Sequence, residues 1–239
     1  MITFILKLLI VVYLFYMIKY VYEMLQYNTK ASLLTLDITN KDKIDVEMKN
    51  KSPLVMDYAG KVLTAGKVLT LETMNYRIPG YIIKDGNALI SLDELSKSKS
   101  FKIHKNSKVV DDYVLQTHYS DMIGLFSNYL TCGQTNYLSL YRGEQVIPVT
   151  KNYRETLVLQ PIQGKVIIYL FNPKHEKDIK GLELKTIKKW SIKHELNDET
   201  LLYIPVEWSY AYESSGDVLL SHIECDSYPS FLFNYLRKK

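Results

Sequence analysis

The chain has only two cysteines, Cys132 and Cys225, in 239 residues. Two thiols close one bridge or none, so a disulfide framework is excluded as the source of stability and the redox compartment stays open. Arginine is scarce as well: of 30 basic residues only Arg77, Arg142, Arg154 and Arg237 carry a guanidinium. The lysines are scattered through loops and the net charge is a mild +4, so no basic stripe interleaved with aromatics forms and nucleic acid is not an expected partner. The abundance of lysine and of tyrosine reads as coding bias and carries no chemistry. Motifs of common reactions are missing too. There is no Gly-x-Ser-x-Gly elbow, no cysteine recognisably paired with a histidine, and no Cys/His cluster with zinc spacing. Gly60-Lys61 and Gly66-Lys67 lack the spacing and the following Ser/Thr of a Walker loop.

What is present begins at the N-terminus. Residues 2–18 are almost entirely apolar, Lys7 being the one charge, and residues 8–18 form an unbroken apolar run. Tyr20, Tyr22 and Tyr27 follow with Lys19, the residue types that settle at a membrane interface. A helix continued to Leu25 suits a hydrocarbon core of about 30 Å. A cleaved signal peptide needs small residues after the apolar run, and Lys19-Tyr20-Val21-Tyr22 supplies none. Lys7 sits close enough to one end to snorkel. The expectation is therefore a single-pass signal-anchor over residues 1–26. Lys19, Lys30, Lys41 and Lys43 after the span place the following domain on the cytosolic side by the positive-inside rule. Asn50-Lys51-Ser52 matches a glycosylation sequon but is followed by Pro53, and it is discounted.

Residues 27–52 are polar and lysine-rich, with short alternating runs at 33–38 and 43–48, and read as a stalk leading into first strands. A perfect tandem hexapeptide over 59–70 reads as a local duplication held in a surface hairpin or loop, since two copies cannot stack into a solenoid. Ser91 and Glu94 form a capping box, and 119–130 has helical apolar spacing. From there on, short β-rich runs separated by turn residues dominate: 137–141, 145–149, 156–159, 165–171, 201–204, 207–212 and 218–224, with one or two more in 183–194. Residues 227–237 close the chain as a short helix with Phe231, Leu232 and Tyr235 on one face. The fold class is mainly β with flanking helices (α+β), a sandwich or barrel over residues 53–239.

Two segments carry a family resemblance. Residues 160–175 run Gln160-Pro161-Ile162-Gln163-Gly164-Lys165 into a strand that leaves as Leu170-Phe171-Asn172-Pro173. Residues 201–208 run Leu201-Leu202-Tyr203-Ile204-Pro205-Val206-Glu207-Trp208. Together they resemble the cupin-like domain of the JmjC type, a double-stranded β-helix, best over residues 130–215. Membrane-tethered, lysine- and tyrosine-rich versions encoded by large DNA viruses are similar. Gly164, Pro173, Pro205 and Trp208 are the positions that carry the fold motif.

The resemblance implies Fe(II)/2-oxoglutarate chemistry, which needs two His and one carboxylate on three positions of an octahedron. The slots for the His-x-Asp fall on Lys151 and Tyr153, and the slot for the second His on Ala211, or Tyr210 in a register shifted by one. A protonated lysine offers no lone pair, alanine has no ligand atom and tyrosine is a rare iron ligand. The expectation is a metal-free, non-catalytic module that binds a protein or a small anionic ligand at a membrane face, with Lys151, Arg154, Lys165 and Tyr210 as the rim. The alternatives are a working oxygenase with differently placed ligands, and a structural membrane or virion protein. His222 and Glu224 share one face of a strand but lie after the Pro-Trp element, and His118 lies at helical spacing from Asp121. These, with His104, His175 and His194, read as surface histidines. Trp208 reads as a core residue beneath the barrel mouth and Trp190 as packing on the shell.

Overall fold

The structure, a computed structural model, describes residues 2–58, 63–64, 67–85, 88–126 and 131–237. Helix α1 (Ile2–Leu25) is the expected apolar helix, and the stretch Phe4–Leu25 is long and apolar enough to cross a membrane. Its side chains face outward, Phe15 at 70% exposure, while Met17 and Met24 are buried against the rest of the chain.

The segment expected as a polar stalk is part of the folded domain instead. Strand β1 (Leu34–Asp37) pairs in parallel with β2 (Leu54–Asp57), and helix α2 (Lys41–Lys49) connects them. The 43–48 run forms a helix rather than a strand because Asn40 caps it, its side chain accepting from the Lys43 N–H at 3.3 Å. Ile44 is thereby buried in the main core beside Leu36. Asn172 and Lys174 also donate to the carbonyls of Asn28 and Thr29, so the chain is tied to the domain as soon as it leaves α1.

Next come a small hairpin, β3 (Leu63–Thr64) with β4 (Lys67–Val68), then helix α3 (Leu71–Arg77). The rest of the tandem hexapeptide up to residue 66 lies outside the described residues. A second hairpin, β5 (Ile82–Asp85) with β6 (Ala88–Ser91), leads into helix α4 (Leu92–Lys97) through the Ser91/Glu94 capping box. Strand β7 (Phe101–Asn106) and helices α5 (Ser107–Asp112) and α6 (Gln116–Phe126) precede the β-rich half. The helix expected over 119–130 thus begins three residues earlier, and 127–130 lie outside the described residues.

Eight strands follow: β8 (Thr131–Arg142), β9 (Gln145–Lys151), β10 (Thr156–Gln163), β11 (Val166–Phe171), β12 (Ser191–Leu196), β13 (Thr200–Pro205), β14 (Ser209–Ser214) and β15 (Val218–Ser227). The short helices α7 (Glu176–Ile179) and α8 (Leu184–Ile187) lie between β11 and β12, so 183–194 is part helix and only its end is strand. Helix α9 (Tyr228–Arg237) ends the described chain and packs on α1.

The strand order identifies the architecture. One sheet runs β1-β2-β13-β10-β15-β8-β7 and the other β12-β11-β14-β9. The four strands β13-β10-β15-β8 and the four strands β12-β11-β14-β9 interleave in sequence as two Greek keys, which is the jelly-roll, or double-stranded β-helix, arrangement. Strand alternation sorts the side chains. Leu157, Leu159, Ile168, Leu202, Tyr212 and Leu220 fill the space between the sheets, with Trp208 fully buried among them. The opposite face of the larger sheet, through Val158, Tyr203, Leu219 and Ile223, packs on the helices from α2 to α6. Gly164 makes the turn from β10 to β11 at φ +77°, where a Cβ would lie 2.3 Å from the Asp217 carbonyl oxygen. Only glycine fits that approach.

Candidate functional site

The loop between β9 and β10 and the start of β14 meet at one end of the barrel around a cavity of about 480 Å³. Asn152 builds this end. Its side chain donates to the carbonyls of Ile204 (2.9 Å) and Pro205 (3.0 Å), and its Oδ1 accepts from the Arg154 N–H. Its backbone exchanges hydrogen bonds with Trp208 and Glu207. The Pro205–Trp208 turn and the 151–154 loop are therefore locked together, with Glu207 held in the left-handed region at φ 69°.

Two ion-pair clusters surround the cavity. In the deeper one, Lys105 Nζ donates to Glu224 Oε1 at 2.6 Å, Arg154 Nε donates to Glu224 Oε2 at 3.0 Å, and Arg154 Nη1 donates to Asp226 Oδ2 at 2.6 Å. Asp226 also accepts from the Glu155 N–H, from Ser230 and from Asn234. Burial acts to lower the Lys105 pKa, but Tyr210 and Glu224 outweigh it and hold the ammonium above its ordinary value. Burial likewise works against the Arg154 guanidinium, and Asp226 and Glu224 overcome it. In the outer cluster Lys151 Nζ pairs with Glu207 at 2.7 Å and Glu176 at 2.9 Å, and Arg237 pairs with Glu207 at 3.0 Å while lying over the Tyr153 ring.

The charge on the cavity wall is lopsided. Lys105, Lys151, Arg154 and Arg237 line it, against Glu224 as the single carboxylate. The other three partners, Asp226, Glu207 and Glu176, are not among the lining residues, Glu176 being half-exposed. Tyr210, buried and with its phenol pKa raised by that burial, forms part of the floor.

Beneath lies a buried polar ladder. His104 Nδ1 meets the Tyr141 hydroxyl at 2.6 Å, and Tyr141 meets the Tyr212 hydroxyl at 2.7 Å. Ser139 Oγ meets His222 Nε2 at 2.9 Å, and the His104 and His222 rings stand edge to face at 5.7 Å. Burial pushes His104 down to about 4 and His222 well below the ordinary imidazole range, so both are neutral near pH 7. Among the described residues neither His222 Nδ1 nor Trp208 Nε1 has a hydrogen-bond partner.

No family model matches the chain, and no curated protein matches it. Among solved structures, it is similar to procruciferin, the 11S globulin of Brassica napus, at 14% identity and a TM-score of 0.29 over 39% of this chain. It is similar also to a cupin superfamily protein from Desulfitobacterium hafniense DCB-2, at 13% identity and a TM-score of 0.30 over 39% of this chain. The chain spans 20% of the first and 68% of the second. This chain's own strand order, β13-β10-β15-β8 against β12-β11-β14-β9, makes it a jelly roll.

The structure brings Lys151, Tyr153, Arg154 and Tyr210 to the cavity, and Trp208 to the core beside it. Two expected site residues are elsewhere. Ala211 points out of the barrel and packs with Tyr169 and Phe171, because successive residues of β14 face opposite sides, so Tyr210 holds the inward slot. Lys165 lies past the far end of β10, about seven residues from the mouth at roughly 3.3 Å each, and pairs in solvent with Glu195 at 2.9 Å. Pro173 begins a single helical turn after β11, and Pro205 ends β13.

The slots in which the resemblance expects iron ligands do not suit a divalent ion. The doubly paired ammonium of Lys151 keeps its proton: burial lowers its pKa, and Glu207 and Glu176 together raise it further. Tyr153 and Tyr210 supply phenols in place of a carboxylate and an imidazole. Among the described residues no group of three or more His, Cys, Asp or Glu is placed to hold a metal ion.

The sequence does not single out Lys105, and it shows His222, Glu224 and His104 without placing them inside the barrel. Glu224 and His222 carried a signal, the i, i+2 spacing on β15, but read as surface residues. His104 lies on β7 at the barrel interior, and His118 reaches Gln160 at 3.1 Å; neither is a free surface imidazole. Cys132 and Cys225 are both free thiols.

Proposed function

We propose that this chain is a membrane-anchored, non-catalytic jelly-roll module that binds a small anionic ligand, a carboxylate or phosphate, at the barrel mouth. The observation that carries the reading is the cavity wall, with four cations against one carboxylate around 480 Å³. A small anion entering there meets N–H donors already oriented by their carboxylate partners, and needs no metal to be held. The unsuitability of Lys151, Tyr153 and Tyr210 as iron ligands supports a module without Fe(II) or 2-oxoglutarate chemistry.

Calorimetric titration of the full chain in detergent with a panel of small carboxylates and inorganic phosphate tests this. At least one should bind, with affinity falling as salt rises. Lys105→Met should weaken it about 10–100-fold, the worth of one charge-assisted hydrogen bond, while Lys165→Gln at the far end leaves it unchanged. Absence of binding by every anion at millimolar concentration overturns the reading.

The membrane half rests on α1 and on a second apolar surface. Helix α9 packs on α1 yet leaves Tyr228, Phe231, Leu232, Tyr235 and Leu236 outward, Leu236 at 61% exposure. An aromatic-rich apolar face beside an apolar helix of spanning length suits the headgroup boundary of a bilayer. Five exposed lysines from Lys19 to Lys49 support a cytosolic position for the domain. The full chain should stay in the pellet after alkaline carbonate extraction of membranes; recovery in the supernatant refutes the anchor.

A further inference from the structure

A second groove, of about 760 Å³, opens where α1 leaves its apolar stretch. Its floor is apolar, with Met24 of α1, Met48 of α2, Phe126 and Tyr203. Lys41, Lys49 and Lys51 also line it, and among the described residues none of the three has a carboxylate within ion-pair distance. The carboxylates nearby are occupied to different degrees. Glu155 accepts from the Tyr20 hydroxyl at 2.6 Å and from the Ser227 N–H at 3.0 Å, and Glu23 pairs with Lys19 at 3.7 Å. Asp45 remains as the one carboxylate on the wall without such a contact.

Lys51 stands out among these residues. It is half-buried, and its backbone lies at φ 55°, a left-handed conformation that a β-carbon disfavours. Burial lowers its pKa, with Glu155 and Glu23 opposing that without cancelling it. A cation that is partly desolvated and without an ion-pair partner costs the free protein stability, and an anionic occupant would offset that part of the cost; the left-handed backbone adds a separate cost that shows the site is held in place. The groove joins such a cation to an apolar floor beside the interfacial tyrosines of α1, Tyr20 among its lining. A molecule with a phosphate next to acyl chains matches both parts.

We infer that this groove holds the phosphate of a membrane phospholipid headgroup, with Lys51 at the phosphate, Lys41 and Lys49 at the rim, and the first acyl segments against Met24 and Met48. The inference rests on the reading of α1 as a membrane anchor.

Native mass spectrometry of the full chain, purified in detergent and delipidated, then given one probe at a time, tests it. Phosphatidylglycerol should be retained at one per chain; diacylglycerol, which lacks the phosphate, and glycerophosphate, which lacks the chains, should not. Lys51→Gly should lower phosphatidylglycerol occupancy at least about tenfold. Because glycine removes the left-handed strain, this variant should unfold at the same temperature as the parent or higher, so its loss of lipid is not a loss of fold. Lys51→Arg should retain lipid. Equal retention of diacylglycerol, or of phosphatidylglycerol by Lys51→Gly, overturns the site, and binding of glycerophosphate as tight as that of the lipid overturns the lipid source. A chain that resists carbonate extraction yet shows no Lys51-dependent lipid loses this inference alone. A chain released by carbonate loses the anchor and the inference with it.

Discussion

Replacing Gly164 with alanine should cost about 3 kcal/mol or more of stability, read as a fall of roughly 6–12 °C in the thermal unfolding midpoint of a domain this size. Two penalties combine at this residue. A left-handed backbone charges any Cβ-bearing residue about 1–2 kcal/mol. At φ +77° the new Cβ would also stand 2.3 Å from the Asp217 carbonyl oxygen and 3.0 Å from Val218 Cγ2. The carbonyl is backbone and cannot rotate away. Asp217 is also pinned by a bidentate Arg142 guanidinium at 2.6 and 2.7 Å, so the 216–218 turn resists moving. Gly216 provides the internal control. It has the same φ of +77° with nothing within 4 Å of its Cβ position, so Gly216→Ala should show the backbone penalty alone. Near-UV circular dichroism on both variants separates the terms. Equal losses would mean that the contact with Asp217 contributes nothing.

The β-rich half was legible because its strands alternate or end at turn residues. Strands β9, β10, β11 and β13 through β15 lie within a few residues of the runs the sequence shows. What failed has specific causes. The run at 43–48 contains Ile44 and Met48, four apart, and fits a helix as well as a strand; the Asn40 cap decides it. The 33–38 run does become β1, whereas the sequence reading does not single out β2, whose Leu54, Val55 and Met56 are all buried; both strands lengthen one edge of the larger sheet. The Ala211 error is one of register: counting from a motif fixes a slot to within one residue, and the pleat then sends that residue to one face or the other. Lys165 failed because nearness to Gly164 in sequence places it at the wrong end of a strand. His222 failed for a different reason. Every residue of β15 is buried, so the strand has no polar face, and nothing in its pattern separates the barrel interior from the face that packs on helices. Of the site itself, the sequence reached Lys151, Tyr153, Arg154 and Tyr210 through the resemblance. It missed Lys105, which arrives from β7 at the far edge of the sheet.

Asp226→Ala should be the most damaging change at the site, about 3–5 kcal/mol, and its effect should reach both the cavity and α9. Asp226 is 2% exposed and accepts four hydrogen bonds: from Arg154 at 2.6 Å, Glu155 N–H at 3.1 Å, Ser230 at 3.1 Å and Asn234 at 3.3 Å. These four donors belong to three parts of the molecule: the cavity wall, the loop before β10, and α9. Alanine leaves Arg154 with Glu224 alone and orphans the buried Ser230 and Asn234 groups, each a desolvation cost of about 1–3 kcal/mol in part offset by Ser230's bond to Ser227 and Asn234's to Tyr153. Without its anchor α9 should loosen, and with it go Asn234 and Arg237 from the cavity wall. Hydrogen exchange should therefore show residues 228–237 losing protection, together with weaker anion binding. Asp226→Asn should fall between parent and alanine, since its oxygen still serves the Glu155 N–H and the α9 donors while its amide faces Arg154 with the wrong polarity. If α9 keeps its protection in Asp226→Ala, the carboxylate is only a partner for Arg154. If protection is lost and anion affinity is not, the cavity does not depend on α9. The expected result, both lost together, would tie the occupancy of the barrel mouth to the helix whose exposed apolar face lies beside α1.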